Sequence, residues 1–183
     1  MDKEPPPSQR GAQYGCPACR HAGCVFIGDR DMAAGGQRAG RWTVSLVIPD
    51  ASVILKWVLP DTSGEADQEA ALRLRDAAVA GTVELVVPAL WRYEVGNTLA
   101  RRFPEQALEI MQLLDNFGLG KGMENDDWLT TAIRLTRDYT VTFYDASYHA
   151  LALAHQGTFV TADRRYLNRA GKAGCVVLLA QWA

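Results

Sequence analysis

Four acidic side chains are the residues of this 183-residue sequence best suited to chemistry. They are Asp50, Glu94, Asp145 and Asp163, and each comes soon after a short apolar run typical of a β-strand. Carboxylates that lie together repel one another and take up protons unless a cation lies between them. Oxygen ligands of this type suit Mg²⁺, or alternatively Mn²⁺, rather than zinc. The acids therefore predict a divalent-metal site, provided that the fold brings them together.

Each acid taken alone also has a simpler explanation. The three aspartates stand where helices are predicted to begin, and aspartate is a favoured N-cap residue. Glu94 by itself fits a solvated helix face. Capping does not explain why the four acids occur together, or why small hydroxyl residues accompany them, namely Ser52, Ser147 and Thr161. Because such hydroxyls can orient a carboxylate or a metal-bound water, we favour metal binding over capping alone.

We expect different roles for the residues of this predicted site. Asp50 and Asp145 are assigned as metal ligands, while Glu94 and Asp163 act directly or through water. Ser52 and Thr161 are expected to support the carboxylates. Asn97 shares a helix face with Glu94, so it either supports that carboxylate or belongs to a solvated polar face, and the two interpretations are equally good.

The elements that must position these side chains follow from the hydrophobic pattern of residues 44–183. Strand-like runs occur at 44–48, 83–87, 140–143, 158–161 and 175–179. Helical patterns occur at 63–80, 89–102, 104–117, 126–139, 145–155 and 163–169. Such alternation predicts an α/β fold in which helices cover both faces of a central, mostly parallel sheet. Ligands bind such sheets outside the carboxyl ends of the strands, where the acids would become neighbours.

Residues 1–43 differ from the rest in composition. They hold 7 of the 16 glycines, 4 of the 8 prolines and 3 of the 4 cysteines, with no apolar periodicity. We predict that this segment is disordered or results from an over-extended reading of the gene. The Cys16-Pro-Ala-Cys19 turn resembles half of a zinc-ribbon knuckle, but a second Cys-X-X-Cys pair is absent. With His21 and Cys24 it offers four nominal ligands, in a span that is tight for a tetrahedral site. Non-functional sequence is therefore favoured over structural zinc.

Composition excludes several classes of protein. The formal net charge of −2 argues against a protein that coats nucleic acid non-specifically, because such proteins are basic. No apolar stretch approaches the roughly 20 residues of a membrane span, and no secretory signal is visible. We expect a cytoplasmic protein without a membrane partner.

Three segments resemble a known family. VIPDASVILKWVLPD (47–61), LVVPALWRYEVGNTLAR (85–101) and VTFYDASYHALALAHQGTFVTADRRYL (141–167) are similar to PIN domains, and most closely to VapC-type toxin ribonucleases. The resemblance covers nearly all of 44–183 and implies a PIN-like α/β/α sandwich there. It also implies a Mg²⁺-dependent endoribonuclease that is inhibited by a cognate antitoxin. The family's four acids fall on Asp50, Glu94, Asp145 and Asp163.

An acidic cleft repels RNA, so cationic residues should flank it. Arg164 and Arg165 are the best candidates for phosphate contacts because they follow Asp163, and Lys56 is a third. His149 is expected to be a packed or surface residue rather than a general base. A metal-activated water would leave a 5′-phosphate and a 3′-hydroxyl.

Two other functions are compatible with a PIN-like fold. The first alternative is a PIN nuclease that matures RNA or cleaves DNA flaps. The second is a non-catalytic PIN module that binds proteins, although such a module has no reason to keep four mutually repulsive acids. We also expect a homodimer.

Overall fold

The computed structural model describes residues 44–59 and 67–182. Its strands are β1 (Ser45–Pro49), β2 (Val83–Val87), β3 (Gly120–Lys121), β4 (Thr158–Thr161) and β5 (Val176–Leu178). Its α-helices are α1 (Ala51–Leu55), α2 (Gln68–Val79), α3 (Trp91–Arg102), α4 (Ala107–Asn116), α5 (Asp126–Tyr139), α6 (Phe143–His155) and α7 (Arg164–Ala170). The predictions made for residues 1–43, including zinc binding by Cys16, Cys19 and Cys24, lie outside the described residues.

The five strands form one sheet in the order β3-β2-β1-β4-β5, and every pairing is parallel. The chain moves outward from β1 through β2 to β3, then returns across the sheet to β4 and β5. Because crossovers between parallel strands are right-handed, the two directions place their helices on opposite faces. The predicted α/β sandwich is confirmed, and the sheet is parallel throughout the described strands.

Helix α6 is the central helix of the fold. Its residues Ala146–Ala152 are all buried, because the helix is enclosed by α5 and by the β1–β4 part of the sheet. A helix that is buried on every side occupies a core position. The chain leaves α6 at His155 and enters β4 at Thr158, so α6 must run antiparallel to that strand. Its N-terminus therefore lies at the edge of the sheet where the strands end, which we call the carboxyl edge.

The strand predicted at Thr140–Phe143 is wrong. Thr140 has a left-handed backbone (φ 53°) and ends α5, while the side chain of Thr142 caps the N-terminus of α6. The β-branched residues that suggested a strand are thus the cap residues of a tight turn between two helices. Conversely, the two-residue strand β3 was not predicted, because a Gly-Lys pair carries no strand pattern.

Gly157 gives a prediction about packing at the start of β4. A Cβ atom built there would lie 2.9 Å from the backbone oxygen of Leu46 and 2.7 Å from Cδ1 of Ile48. Since the backbone of β1 cannot yield easily, Gly157→Ala should destabilise the protein by about 1–3 kcal/mol in urea unfolding.

Gly96→Ala is the matched control for that substitution. Gly96 lies within α3, where a Cβ would meet only Sδ of Met111 at 4.0 Å. Alanine is the better helix former, so this variant should gain about 0.5–1 kcal/mol. Equal losses in the two variants would contradict the packing argument.

None of the helices in the described ranges is long and apolar enough to cross a membrane.

Candidate functional site

The four predicted acids all lie at helix N-termini along the carboxyl edge. Asp50 and Asp163 are the N-caps of α1 and α7, and their side chains accept hydrogen bonds from the backbone of the first turn. Glu94 and Asp145 lie in the first turns of α3 and α6. The capping interpretation is therefore confirmed for two of the aspartates, and it is compatible with a site. We call these four residues the acid cluster.

Asp50 is the most buried member, with 9% of its surface exposed. Its Oδ2 accepts the hydroxyl proton of Thr161 at 2.7 Å, and its Oδ1 accepts from the backbone N–H of Ser52 at 3.2 Å. Burial raises the pKa of Asp50 most strongly, and the charge of Asp145 raises it further, whereas these hydrogen bonds lower it. Thr161 thus contacts the carboxylate through its hydroxyl, whereas Ser52 contacts it through its backbone N–H.

Glu94 faces the acid cluster from α3. Tyr148, on α6, donates its hydroxyl proton to Oε2 of Glu94 over 2.7 Å. The pKa of Glu94 is raised mainly by burial and also by the charges of Asp50 and Asp145, against the lowering effect of Tyr148. The carboxylates are thus near enough to perturb one another, although they come from different helices.

Asp145 reaches the carboxyl edge through α6 and not, as predicted, by following a strand. Thr142 donates its hydroxyl proton to Oδ2 of Asp145 at 2.6 Å and accepts the backbone N–H of Asp145 at 3.1 Å. Partial burial raises the pKa of Asp145, Thr142 lowers it, and the nearby charge of Asp163 raises it.

Thr161 joins the first and fourth acids. While its hydroxyl donates to Asp50, the same oxygen accepts the backbone N–H of Asp163 at 3.0 Å. Oδ1 of Asp163 in turn accepts from the backbone N–H groups of Arg165 and Tyr166, at 2.7 and 3.2 Å. This chain of hydrogen bonds sets the position of α7 relative to β1.

Three of the four acids keep one carboxylate oxygen without a hydrogen bond from the described part of the chain. These oxygens are Oε1 of Glu94, Oδ1 of Asp145 and Oδ2 of Asp163. Carboxylate oxygens are hard donors, and a set of them from neighbouring acids suits Mg²⁺ or Mn²⁺.

The spacing of the acids limits how an ion could be held. Within residues 44–59 and 67–182, no three Asp, Glu, His or Cys side chains are grouped so that they could hold an ion between them. Mg²⁺ usually binds one or two carboxylates and keeps several of its waters. Two carboxylates of the acid cluster with water therefore fit the ion, whereas a cage of three carboxylates does not.

Two predicted supporting residues lie apart from the carboxylates. Ser147 is buried, and its hydroxyl donates to the backbone oxygen of Phe143 within α6, so it does not contact Asp145. Asn97 is exposed on α3, which agrees with the solvated-face interpretation.

The predicted cationic residues differ in position. Arg164 and Arg165 are both exposed at the start of α7, beside Asp163. Lys56 is half-buried at the C-terminus of α1, where its backbone oxygen accepts from Gln68 at 2.6 Å. The arginines therefore lie at the carboxyl edge, while Lys56 lies at the far end of a short helix.

Sequence reasoning missed Thr142 and Tyr148, which donate to two of the acids. Thr142 precedes the start of α6 and carried an N-cap signal, so it could have been found from the threonine three residues before Asp145. Tyr148 bonds to a residue 54 positions away, and no local pattern signals such a contact.

His149 is a buried structural residue, as expected from the sequence. Its Nε2 lies 2.6 Å from the backbone oxygen of Gly174, which can only accept, so Nε2 carries the proton. Nδ1 then accepts the hydroxyl proton of Tyr166 at 2.9 Å. Both ring nitrogens are thus satisfied in the neutral form, and burial lowers the pKa of His149 to about 4.

This lowered pKa predicts acid sensitivity. The unfolded chain binds a proton near pH 6.5 and the folded protein only near pH 4, so the contribution of neutral His149 is complete above pH 6.5 and is lost as the pH falls between these values. At pH 5 the loss should be about 2 kcal/mol. The measurement is the free energy of unfolding at pH 7 and pH 5, compared with a His149→Gln variant. Equal pH dependence in the two proteins would contradict the assignment.

Comparison with known proteins places this geometry in a family. No curated protein matches the chain in sequence. The crystal structure of PAE2754 from Pyrobaculum aerophilum is similar, with a TM-score of 0.53 and 20% identity over 74% of this chain and 90% of that one, a likeness that concerns the fold alone. Residues 47–173 match the PIN domain family, which is more than half of the sequence. The chain therefore belongs to the PIN domain family.

Proposed function

We propose that this protein is a Mg²⁺-dependent endoribonuclease and the toxin of a toxin–antitoxin pair. PIN domains are generally nucleases and typically bind divalent metals. The observation that carries the proposal is the acid cluster. Four carboxylates lie near the carboxyl edge, each at the start of a different helix. Three of them have pKa values raised by burial and by the charge of at least one other member of the cluster. Repulsion between these carboxylates lowers the stability of the folded protein, and a bound cation would relieve it. We therefore expect the acid cluster to bind a cation.

The residues of the acid cluster would divide the work. Asp50 and Asp145 would hold the ion, and Glu94 and Asp163 would complete its surroundings directly or through water. A bound divalent ion lowers the pKa of a water ligand and stabilises negative charge on the scissile phosphate. Thr161 and Thr142 orient the two aspartates and favour their charged forms by donating hydrogen bonds to one oxygen of each. No ribose 2′-hydroxyl is needed, so the products would carry 5′-phosphates.

Phosphate binding would rest on the arginines at the carboxyl edge. Arg164 and Arg165 are exposed beside Asp163, and arginine pairs well with phosphate oxygens. They would offset the repulsion between the acid cluster and the substrate backbone. Lys56 remains a weaker candidate because of its place at the end of α1.

A toxin of this kind would need a surface that binds its antitoxin. Several large apolar side chains are well exposed on α3, α4 and α5, namely Tyr93, Leu108, Leu113 and Ile133. Large exposed apolar side chains on α3 and α4, which pack against each other, support the existence of protein partners. We propose a cognate antitoxin and a second copy of this chain as those partners.

The nuclease proposal is tested with purified protein and defined substrates. Single-stranded RNA, structured RNA and flap DNA are incubated with Mg²⁺, with Mn²⁺ and with excess EDTA. Cleavage of RNA only, dependent on metal and leaving 5′-phosphate ends, is expected. Cleavage of flap DNA would favour the alternative nuclease function. If none of the three substrates is cleaved, a binding module would be favoured.

The toxin proposal is tested separately in cells. Expression of the protein should arrest growth, and co-expression of the neighbouring small open reading frame should restore it. Normal growth of cells that contain active nuclease would contradict the toxin role.

A further inference from the structure

Tyr148 joins the two helical layers at the acid cluster. Its hydroxyl, on α6, donates to Oε2 of Glu94, on α3, over 2.7 Å. We propose that Tyr148 is a positioning residue that holds Oε2 of Glu94, so that Oε1 faces the divalent ion and accepts a hydrogen bond from one of its water ligands. This inference rests on the proposed function, because it assumes that the acid cluster binds a metal.

The hydroxyl of Tyr148 has a fixed position because its ring cannot move. Tyr148 is 1% exposed, and its ring stacks on Phe159 with centroids 6.0 Å apart and planes inclined by 14°. Phe159 is itself fully buried on β4 and makes an edge contact with Tyr166. Because the ring is packed between α6 and the sheet, the hydroxyl oxygen is held in one position. Its position is therefore about as fixed as that of a backbone N–H group.

Glu94 needs such a donor more than the other acids do. Each of the three aspartates has a short side chain that takes part in a helix cap or accepts from the residue that forms one. Glu94 has a longer side chain, and Tyr148 is its one side-chain hydrogen-bond partner in the described part of the chain. Without that partner the carboxylate would be free to turn away from Asp50 and Asp145.

The hydrogen bond also selects which oxygen is available. With Oε2 occupied by Tyr148, Oε1 keeps its lone pairs and has no hydrogen bond from described residues. Metal sites usually orient the groups around the ion, including those that act through its waters, by hydrogen bonds of this kind. Removing such a partner typically weakens metal binding by about 10- to 100-fold.

The test is Mn²⁺ binding to the full chain, measured by the loss of the free Mn²⁺ signal in electron paramagnetic resonance. Tyr148→Phe removes the hydroxyl and keeps the ring and its stacking on Phe159. We expect about 10-fold weaker Mn²⁺ binding or more. In a Glu94→Gln background the same change should have no further effect, because the hydroxyl acts through Glu94.

Tyr166→Phe is the matched control. It removes another buried tyrosine hydroxyl from the same aromatic group, but that hydroxyl bonds to His149 instead of an acid. This variant should bind Mn²⁺ like the parent protein. If it weakened binding as much as Tyr148→Phe does, the effect would be general loosening of the core, and the inference would be overturned.

Failure of the inference and failure of the proposed function give different results. If the parent protein binds Mn²⁺ and Glu94→Gln weakens binding, while Tyr148→Phe does not, the inference is wrong and the metal site stands. An additive effect in the double variant would also overturn the inference. If the parent protein binds no Mn²⁺, the metal-dependent function and the inference both fail.

Discussion

Asp145→Asn is expected to reduce Mg²⁺-dependent RNA cleavage by about 10³-fold, which corresponds to about 4 kcal/mol of lost transition-state stabilisation. Asparagine has nearly the same shape as aspartate, and its oxygen can still accept from Thr142, but it carries no charge to hold the ion. Asp145 is close to Asp163, and its pKa is raised, so the charged form is disfavoured in the folded protein. The variant should therefore fold as well as the parent or slightly better. Cleavage rates and thermal unfolding measured together check both parts.

Asp138→Asn is the control for that loss of activity. Asp138 lies on α5, outside the acid cluster, where it forms an exposed ion pair with Arg137 at 2.8 Å. The same chemical change there should leave cleavage unaltered, since exposed ion pairs contribute little. If Asp145→Asn cleaved RNA at the parental rate, the assignment of the acid cluster as the active site would be wrong.

Phe159→Ala is expected to have the largest effect on stability, a loss of about 3–5 kcal/mol. Phe159 is fully buried in β4, and its ring contacts those of Tyr148, His149 and Tyr166. Alanine would leave a cavity beneath the acid cluster that three packed rings cannot fill without moving. The free energy of unfolding in urea measures the loss, and Mn²⁺ binding should weaken as Tyr148 loses its support.

Val79→Ala provides the comparison for Phe159→Ala. Val79 ends α2, and 72% of its surface is exposed, so its truncation should change the free energy of unfolding by no more than about 0.5 kcal/mol. A similarly small loss for Phe159→Ala would show that the β4 layer is not closely packed.

The acids show how far local signals reach. Asp50 and Asp163 were placed from the sequence because each follows an apolar run and caps the next helix, and both signals act within a few residues. Asp145 was expected at the right edge for a wrong reason. Its supposed strand, Thr140–Phe143, is a cap between two helices, and the apolar β-branched residues there look the same in either role.

Contacts between helices show where local signals stop. Tyr148 and Glu94 are 54 positions apart in the sequence. Their side chains meet because α3 and α6, although they lie on opposite faces of the sheet, both begin at its carboxyl edge. Ser147 was expected beside Asp145, yet its hydroxyl turns back to the helix backbone at Phe143. The pairing of each hydrogen-bond donor with a particular oxygen depends on side-chain packing. The spacing of residues along the sequence does not reveal that packing.

The sequence by itself determined the kinds of atom available and the order of the elements that carry them. Hydrophobic periodicity, capping residues and β-branched runs are signals that extend over one or two helical turns. The α/β alternation and the acids at the ends of the elements could therefore be recognised from the sequence. The tertiary structure decided which oxygens are occupied and which are left for a ligand. That choice depends on how the aromatic core under β4 sets the distance between α3 and α6, and on Thr161 reaching Asp50 across the sheet.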